Sequence, residues 1–247
     1  MMKQVKLSIP TEWSDITIGT YQEYVDIQLG KGSEKKKIVD SLALLCGTTT
    51  AIVKKMNYKD LIEIMNILKK MIDTEPNKEQ FRKTFVFKDD EYGFCPNLSA
   101  ITTGEYIDLE AYCKDDPIKN LHVIMSILYR KITFSRGDRY AIEEYNPEEF
   151  KEELFKDCPV DIALSSLGFF FEFRVDIGNK FSQLFGSTGT ETTKGVSLQS
   201  KWGWYNTLYS LSTSILDIQK ITKLPILEVL TYLSYTQDYN TKQNNKY

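Results

Sequence analysis

The strongest periodic signal begins after Asn57, where Leu61, Ile64, Met65, Leu68 and Ile72 fall at i, i+3, i+4, i+7 and i+11 while Lys59, Glu63, Asn66 and Lys70 lie between them. That spacing gathers one apolar stripe on an α-helix, and Asn57 is placed to cap its start. A helix over 19–29 carries Tyr21, Tyr24 and Val25 on one side and stops at Gly30-Lys31-Gly32. Another, over 33–46, sets Ile38, Leu42 and Leu45 on one face, with Gly47 as its C-terminal cap. Further helices are expected over 102–113, 118–132 and 147–156. The segment 159–173 is apolar in nearly every direction, which marks a helix central in the core or docked on another subunit. Beyond it, 202–218 places Tyr205, Leu208, Ser212, Ile215 and Ile218 or Gln219 on one stripe, and Leu224-Pro225 opens a short last helix with Ile226, Val229, Leu230 and Leu233 on one side. Two stretches alternate with period two instead. Val5–Ile9 reads as a short strand ending at Pro10, and Lys83–Lys88 with Glu91–Phe94 flank Asp89-Asp90 as a β-hairpin.

One pattern occurs twice. Ile16-Thr17-Ile18-Gly19-Thr20-Tyr21 returns as Ile101-Thr102-Thr103-Gly104-Glu105-Tyr106, an offset of 85 residues that Ser41-Leu42 and Ser126-Ile127 share. Asn57-Tyr58-Lys59-Asp60 is matched by Asn146-Pro147-Glu148-Glu149. Each Thr or Asn is a helix N-cap, Glu105 stands at the capping-box spacing from Thr102, and Pro147 suits a first helical position. Such caps resemble one another in unrelated helices too. The fold class is therefore mainly α: a helical bundle of two degenerate repeats with a short N-terminal strand, a small β-hairpin and a C-terminal helical hairpin. The expected boundaries are 1–84 for the first helical unit with its strand, 85–97 for the hairpin, 98–185 for the second helical unit, 186–195 for a Gly/Ser/Thr-rich linker, and 196–247 for the C-terminal hairpin and tail.

Composition narrows the chemistry. A chain of 247 residues, 42% hydrophobic and 26% charged, has enough apolar surface for a buried core. A net charge of −3 gives no electrostatic reason to expect nucleic acid. Lys35-Lys36-Lys37 and Lys54-Lys55 read as solvated faces. Cys46, Cys95, Cys113 and Cys158 form no C-x-x-C pair, and with a single His, His122, a zinc site has few ligands to draw on. His122, among apolar neighbours, reads as a core or interface residue rather than a catalytic base. The stretch 186–195 lacks the Gly-Lys-Ser/Thr ending of a phosphate loop. No apolar run is long enough to span a bilayer, and no secretory signal opens the chain. Asp217–Leu224 followed by Val229 and Tyr232-Leu233 has the outline of a helix-turn-helix, but its reading helix offers Leu227, Glu228, Thr231 and Tyr232, with no Arg or Lys for bases.

The opening Val5-x-Leu7-x-Ile9-Pro10-x-x-Trp13-Ser14-Asp15-Ile16-Thr17-x-Gly19-x-Tyr21, the run Lys201-Trp202-Gly203-Trp204-Tyr205, and Ile221-Thr222-x-Leu224-Pro225-x-x-Glu228-Val229-Leu230 together resemble small helical virion or tail-assembly proteins of tailed phages, most closely those of crAss-like phages of Bacteroidota. The matched stretches leave the middle of the chain unassigned. The resemblance implies a non-enzymatic virion component, structural or internal cargo, in the portal or tail region. Its partners would be other virion proteins or copies of itself, with no cofactor, metal or small-molecule substrate. Localisation would be the virion, after synthesis in the bacterial cytoplasm. A tail-assembly chaperone absent from the mature particle is the alternative, and a DNA-binding helix-turn-helix protein a more distant one. The expected interface anchors are Trp13, Tyr21, Tyr106, Phe169, Phe170, Trp202 and Trp204.

Overall fold

The computed structural model describes residues 7–74, 81–149, 152–185 and 203–244. Its first half carries α1 (Ile18–Leu29), α2 (Glu34–Leu45), α3 (Thr50–Val53) and α4 (Tyr58–Ile72). Then come β1 (Thr84–Phe87), β2 (Asp90–Phe94), α5 (Thr103–Asp115), α6 (Leu121–Leu128), β3 (Tyr129–Arg136) and β4 (Arg139–Ile142). The rest is helical: α7 (Glu152–Phe155), α8 (Val160–Lys180), α9 (Ser182–Phe185), α10 (Gly203–Leu211), α11 (Ile215–Thr222) and α12 (Ile226–Asn244). The mainly helical class with a small hairpin holds.

The helix starts follow from side-chain chemistry. Thr17, Ser33, Thr49 and Asn57 each accept a hydrogen bond from a first-turn N–H of α1, α2, α3 and α4, supplying a partner that the helix itself lacks. Thr102 and Glu105 form the expected reciprocal box at the start of α5. At the end of α2, Gly47 takes φ +58°; its N–H donates to Leu44 O at 3.1 Å and that of Thr48 to Ala43 O at 2.8 Å, a Schellman closure that glycine adopts without strain.

The four strands lie in the order β1-β2-β3-β4, all antiparallel. Lys88 and Asp89 both have positive φ and close the first hairpin, one residue earlier than the expected Asp89-Asp90 turn. The second hairpin turns on Gly137, φ +59°. It corrects the expected helix over 118–132: α6 stops at Leu128, and Tyr129-Arg130-Lys131 pair with Phe94, Gly93 and Tyr92 of β2. Beta-branched and aromatic residues at Tyr129, Ile132, Thr133 and Phe134 favour the strand once β2 offers an edge. The segment 85–97 thus supplies part of a shared sheet. At Gly93 any Cβ would meet the Tyr140 ring at 2.5 Å, and the Tyr140 hydroxyl donates to Phe94 O at 2.7 Å, so glycine lets β4 lie flat across β2.

Phe85, Tyr92, Phe94 and Tyr129 line the inner sheet face, with ring centroids 5.0 to 5.7 Å apart in successive pairs. Against the sheet and α5 pack α6, buried at every position except His122, and α8. The segment 159–173 is therefore central to the core, as one of its two readings held. On α4, Ile64, Leu68 and Met71 are buried, and Leu61, Met65 and Ile72 are half-buried, as the stripe requires.

Other expectations are corrected. The helix over 202–218 is broken at 212–214 into α10 and α11, because Thr213 and Ser214 turn their hydroxyls to Asp217 Oδ2 at 2.6 and 3.1 Å and end the helix locally. The last helix is not short: it runs through the polar tail to Asn244. Over 147–156 the chain forms a 3₁₀ turn at Pro147–Glu149 and then the separate α7. Leu7–Ile9 pair with no strand, and Val5 and Lys6 lie outside the described residues, as does the whole expected linker 186–195. Ile38, expected inside, is 41% exposed near the start of α2.

Candidate interaction surface

The two copies of the repeated motif are built alike, and each is clamped to a distant chain segment that ends in a proline. In the first, Thr17 bridges Pro159. The N–H of Ile18 donates to Cys158 O at 2.9 Å, that of Gly19 to Lys156 O at 2.8 Å, and that of Val160 to Ile16 O at 2.9 Å. In the second, Thr102 bridges Pro225; the N–H of Thr103 donates to Leu224 O at 2.8 Å and that of Ile226 to Ile101 O at 2.9 Å. The glycine has the same task in both. A Cβ on Gly19 would lie 3.3 Å from Lys156 O, and one on Gly104 3.3 Å from Thr222 O, so a side chain at either would require the clamped segment to give by a few tenths of an ångström. The clamps set the starting points of α8 and α12, the two long helices that begin just after Pro159 and Pro225.

The expected anchors divide. Trp13 packs edge-on to Tyr21 with centroids 5.5 Å apart and donates its indole N–H to Thr74 O at 2.5 Å, tying the N-terminal segment to the end of α4. Both are half-buried within the chain. Tyr106 and Phe170 are 1% and 0% exposed, so they are core residues with no surface to offer a partner. Trp204 packs on Tyr106 at 5.9 Å and fastens α10 to α5. Phe169 alone stays open, 42% exposed beside Phe81 and Phe94. Trp202 lies outside the described residues.

Ionisable groups in the interior are paired. Glu105 forms a buried ion pair with Arg130 beneath the sheet, and the Tyr145 hydroxyl donates to Asp108. Burial raises the Asp108 carboxyl, while the Tyr145 hydrogen bond opposes that. Arg130 also lies over the Tyr145 ring at 5.8 Å. Burial pushes the Cys113 and Cys158 thiols up to about 12 and raises those of Cys46 and Cys95, which disfavours the nucleophilic thiolate at all four. His122 is half-buried and accepts at Nδ1 from the Gln22 amide at 3.0 Å; desolvation and the charge of Lys156 hold it below the ordinary imidazole value. Among the described residues no group of three or more His, Cys, Asp or Glu side chains is gathered as metal ligands, and no helix is long and apolar enough to cross a membrane.

Two hollows open on the surface. One, about 720 Å³, lies between the sheet and α8, floored by Phe81, Phe94, Phe169 and Phe173 and rimmed by Lys83, Arg139, Glu172 and Asp176. It can take a flat apolar group held by a charged rim. The other, about 980 Å³, is more polar, around Arg130, Lys131, Glu143 and Lys223.

The largest concentration of uncovered apolar side chains is elsewhere. Tyr205, Tyr209, Ile215, Leu216, Tyr232, Tyr235 and Tyr239 on α10, α11 and α12 are each at least half exposed. Of the residues that share the expected stripe of 202–218, Leu208 is buried while Tyr205 and Ile215 are exposed. Ile226, Val229 and Leu230 do face inward, with Leu233 half-buried beside them. Sequence periodicity had sorted residues onto sides but could not say which side lacked a neighbour. Along α12 the one Lys or Arg is Lys242, far from the turn that a DNA-reading helix would use. No protein-family model matches this chain, and no curated protein or solved structure does so either.

Proposed function

We propose that this chain is a phage virion-associated protein, a structural or internal cargo component of the portal or tail region, that works through protein contacts without catalysis. The observation that carries the reading is the exposed aromatic and aliphatic surface of α10–α12. Large apolar groups cost solvation free energy when left in water, and covering them with another protein relieves that cost. Tyrosine suits such a face, because it contributes apolar area with few rotatable bonds and keeps a hydroxyl for hydrogen bonding. The paired interior charges and raised thiols fit a scaffold rather than a reaction centre. The phage setting rests on the resemblance of the Trp- and Gly-bearing segments.

Mass spectrometry of purified particles of the encoding phage tests it. The protein is expected in finished virions at a constant ratio to the portal. Its presence during assembly but absence from finished particles would replace this reading with the tail-assembly chaperone, and absence from both would end it.

A further inference from the structure

The exposed face of α12 has an internal order of its own. Glu228, Tyr232, Tyr235, Tyr239 and Lys242 follow one another at steps of four, three, four and three residues, the spacing of a two-stranded coiled-coil seam. The three tyrosines are 60%, 65% and 51% exposed, and the rings of Tyr235 and Tyr239 stack 6.2 Å apart. The opposite side of the helix is spent on the fold, packed through Ile226, Val229 and Leu230. The seam is also symmetric in chemistry about its middle: an acid at one end, a base at the other, tyrosines between, and Tyr235 at the centre.

The other clamped helix shows what this face lacks. Aligned on Pro159 and Pro225, Ser166 of α8 takes the place of Tyr232. Ser166 is fully buried, its hydroxyl 3.4 Å from Met125 Sδ of α6. Thus α8 is roofed by its own chain at the first of the three tyrosine positions, while Phe169 and Phe173, at the other two, stay partly open.

We propose that the roof of α12 is the α12 of a second copy of this chain, laid antiparallel across it. A two-fold axis at Tyr235 sets Glu228 of each copy against Lys242 of the other and brings Tyr232 to within one residue of the position facing Tyr239, so charge meets opposite charge and ring meets ring. A parallel pairing would set acid on acid and base on base. The contact is isologous, the kind that closes at a dimer. Three tyrosines a side make it a small interface, formed and released with concentration. It rests on reading the C-terminal surface as a contact face, yet its failure would leave a different virion partner open, whereas the particle experiment above tests the setting.

Sedimentation velocity of the full chain over a concentration series tests it. The mass is expected to rise from 28.6 kDa to twice that value. Tyr235→Glu, which brings two carboxylates together on the axis, is expected to hold the chain at the single mass with unchanged helical circular dichroism. Glu228→Lys and Lys242→Glu are each expected to weaken the dimer by about tenfold, and an equimolar mixture of the two to recover it as a heterodimer. A single mass at every concentration overturns the proposal, and so does the face being covered by residues 186–202 of the same chain, which gives that result. A dimer indifferent to Tyr235→Glu, or single swaps that leave it unweakened, overturns it as well.

Discussion

Helices α8 and α12 begin in the same way and end in opposite environments. Each follows a proline clamped to a copy of the Ile-Thr-x-Gly motif, each start is held by the same pair of backbone hydrogen bonds, with a third from Gly19 in the first copy, and each clamp leaves a side chain at the glycine little room. Beyond the first turn the sequences part. Helix α8 continues with Ile162, Ala163, Leu167 and Phe170, all at most 5% exposed, and is enclosed by α6 and the sheet; α12 turns tyrosines outward. The clamp decides where a helix starts and in which direction. The residues that follow decide how much of it the chain itself covers.

The largest test of that division exchanges nothing but burial. Phe170→Ala empties a fully enclosed site and is expected to lower unfolding stability by about 3–5 kcal/mol, the range for large-to-small changes in a core. Tyr235→Ala on α12 is expected to change the stability of the single chain by no more than about 0.5 kcal/mol. Urea unfolding of both variants, at a concentration low enough to keep the chain monomeric, reads the contrast. Equal losses would mean that α12 is as deeply built into the fold as α8.

The clamps come next. Gly19→Val and Gly104→Val put a branched side chain against a backbone carbonyl, at an expected cost of about 1–3 kcal/mol each. They should differ in kind. Loosening the first clamp frees the start of α8 and should lower the global midpoint, whereas loosening the second should expose the amides of α12 to hydrogen exchange before the rest unfolds. Smaller again is removal of the caps: Thr17→Ala and Thr102→Ala should each cost about 1 kcal/mol. Thr17 is expected at the higher end, because its hydroxyl bonds both the N–H and the hydroxyl of Thr20, whereas the N–H of residue 102 keeps its bond to the Glu105 carboxylate when the side chain is removed. Thermal unfolding of the two variants side by side decides the order.

How much of this could be read from the residues depends on the range of the interaction. The caps were legible because a Thr or Asn acts within three residues, and the duplication showed through them at Thr17 and Thr102. Their clamped partners, Pro159 and Pro225, carry no signal that names a distant mate. The strand at Tyr129–Arg136 was read partly as helix because Leu128 and Ile132 keep helical spacing; only the edge of β2, far back in the chain, tips those residues into a sheet. The anchors failed for a related reason. Size and aromaticity marked Tyr106 and Phe170 as important, but whether such a ring is enclosed or offered outward is settled by what packs over it. The tyrosines of α12 were legible as a stripe only with that burial in hand.

The smallest effect concerns the only histidine, which joins the first copy of the motif to α6. Gln22 of α1 gives its amide to His122 Nδ1 at 3.0 Å and to the carbonyls of Ile118 and Lys119 at 2.9 and 2.8 Å. The amide has two protons for three acceptors, so the contact to Nδ1 shares a proton with a carbonyl; with Nδ1 as acceptor the imidazole is neutral. Desolvation lowers its pKa in the fold, Lys156 lowers it further, and Glu153 and Glu152 oppose. With the folded value below the unfolded 6.5, the unfolded chain binds the proton first as pH falls. Stability is therefore unaffected by this group above 6.5, declines as pH drops from there toward the folded value, and levels off below it. Wild type should lose stability relative to His122→Gln in urea unfolding as pH falls below the unfolded value of 6.5. In the second copy the position of Gln22 is taken by Ile107 and that of His122 falls on Lys37 in the first, so no matching titration is expected there. A gap between the two proteins that stays constant with pH would show that Gln22 does not hold the ring neutral, and that this link between α1 and α6 is made by packing alone.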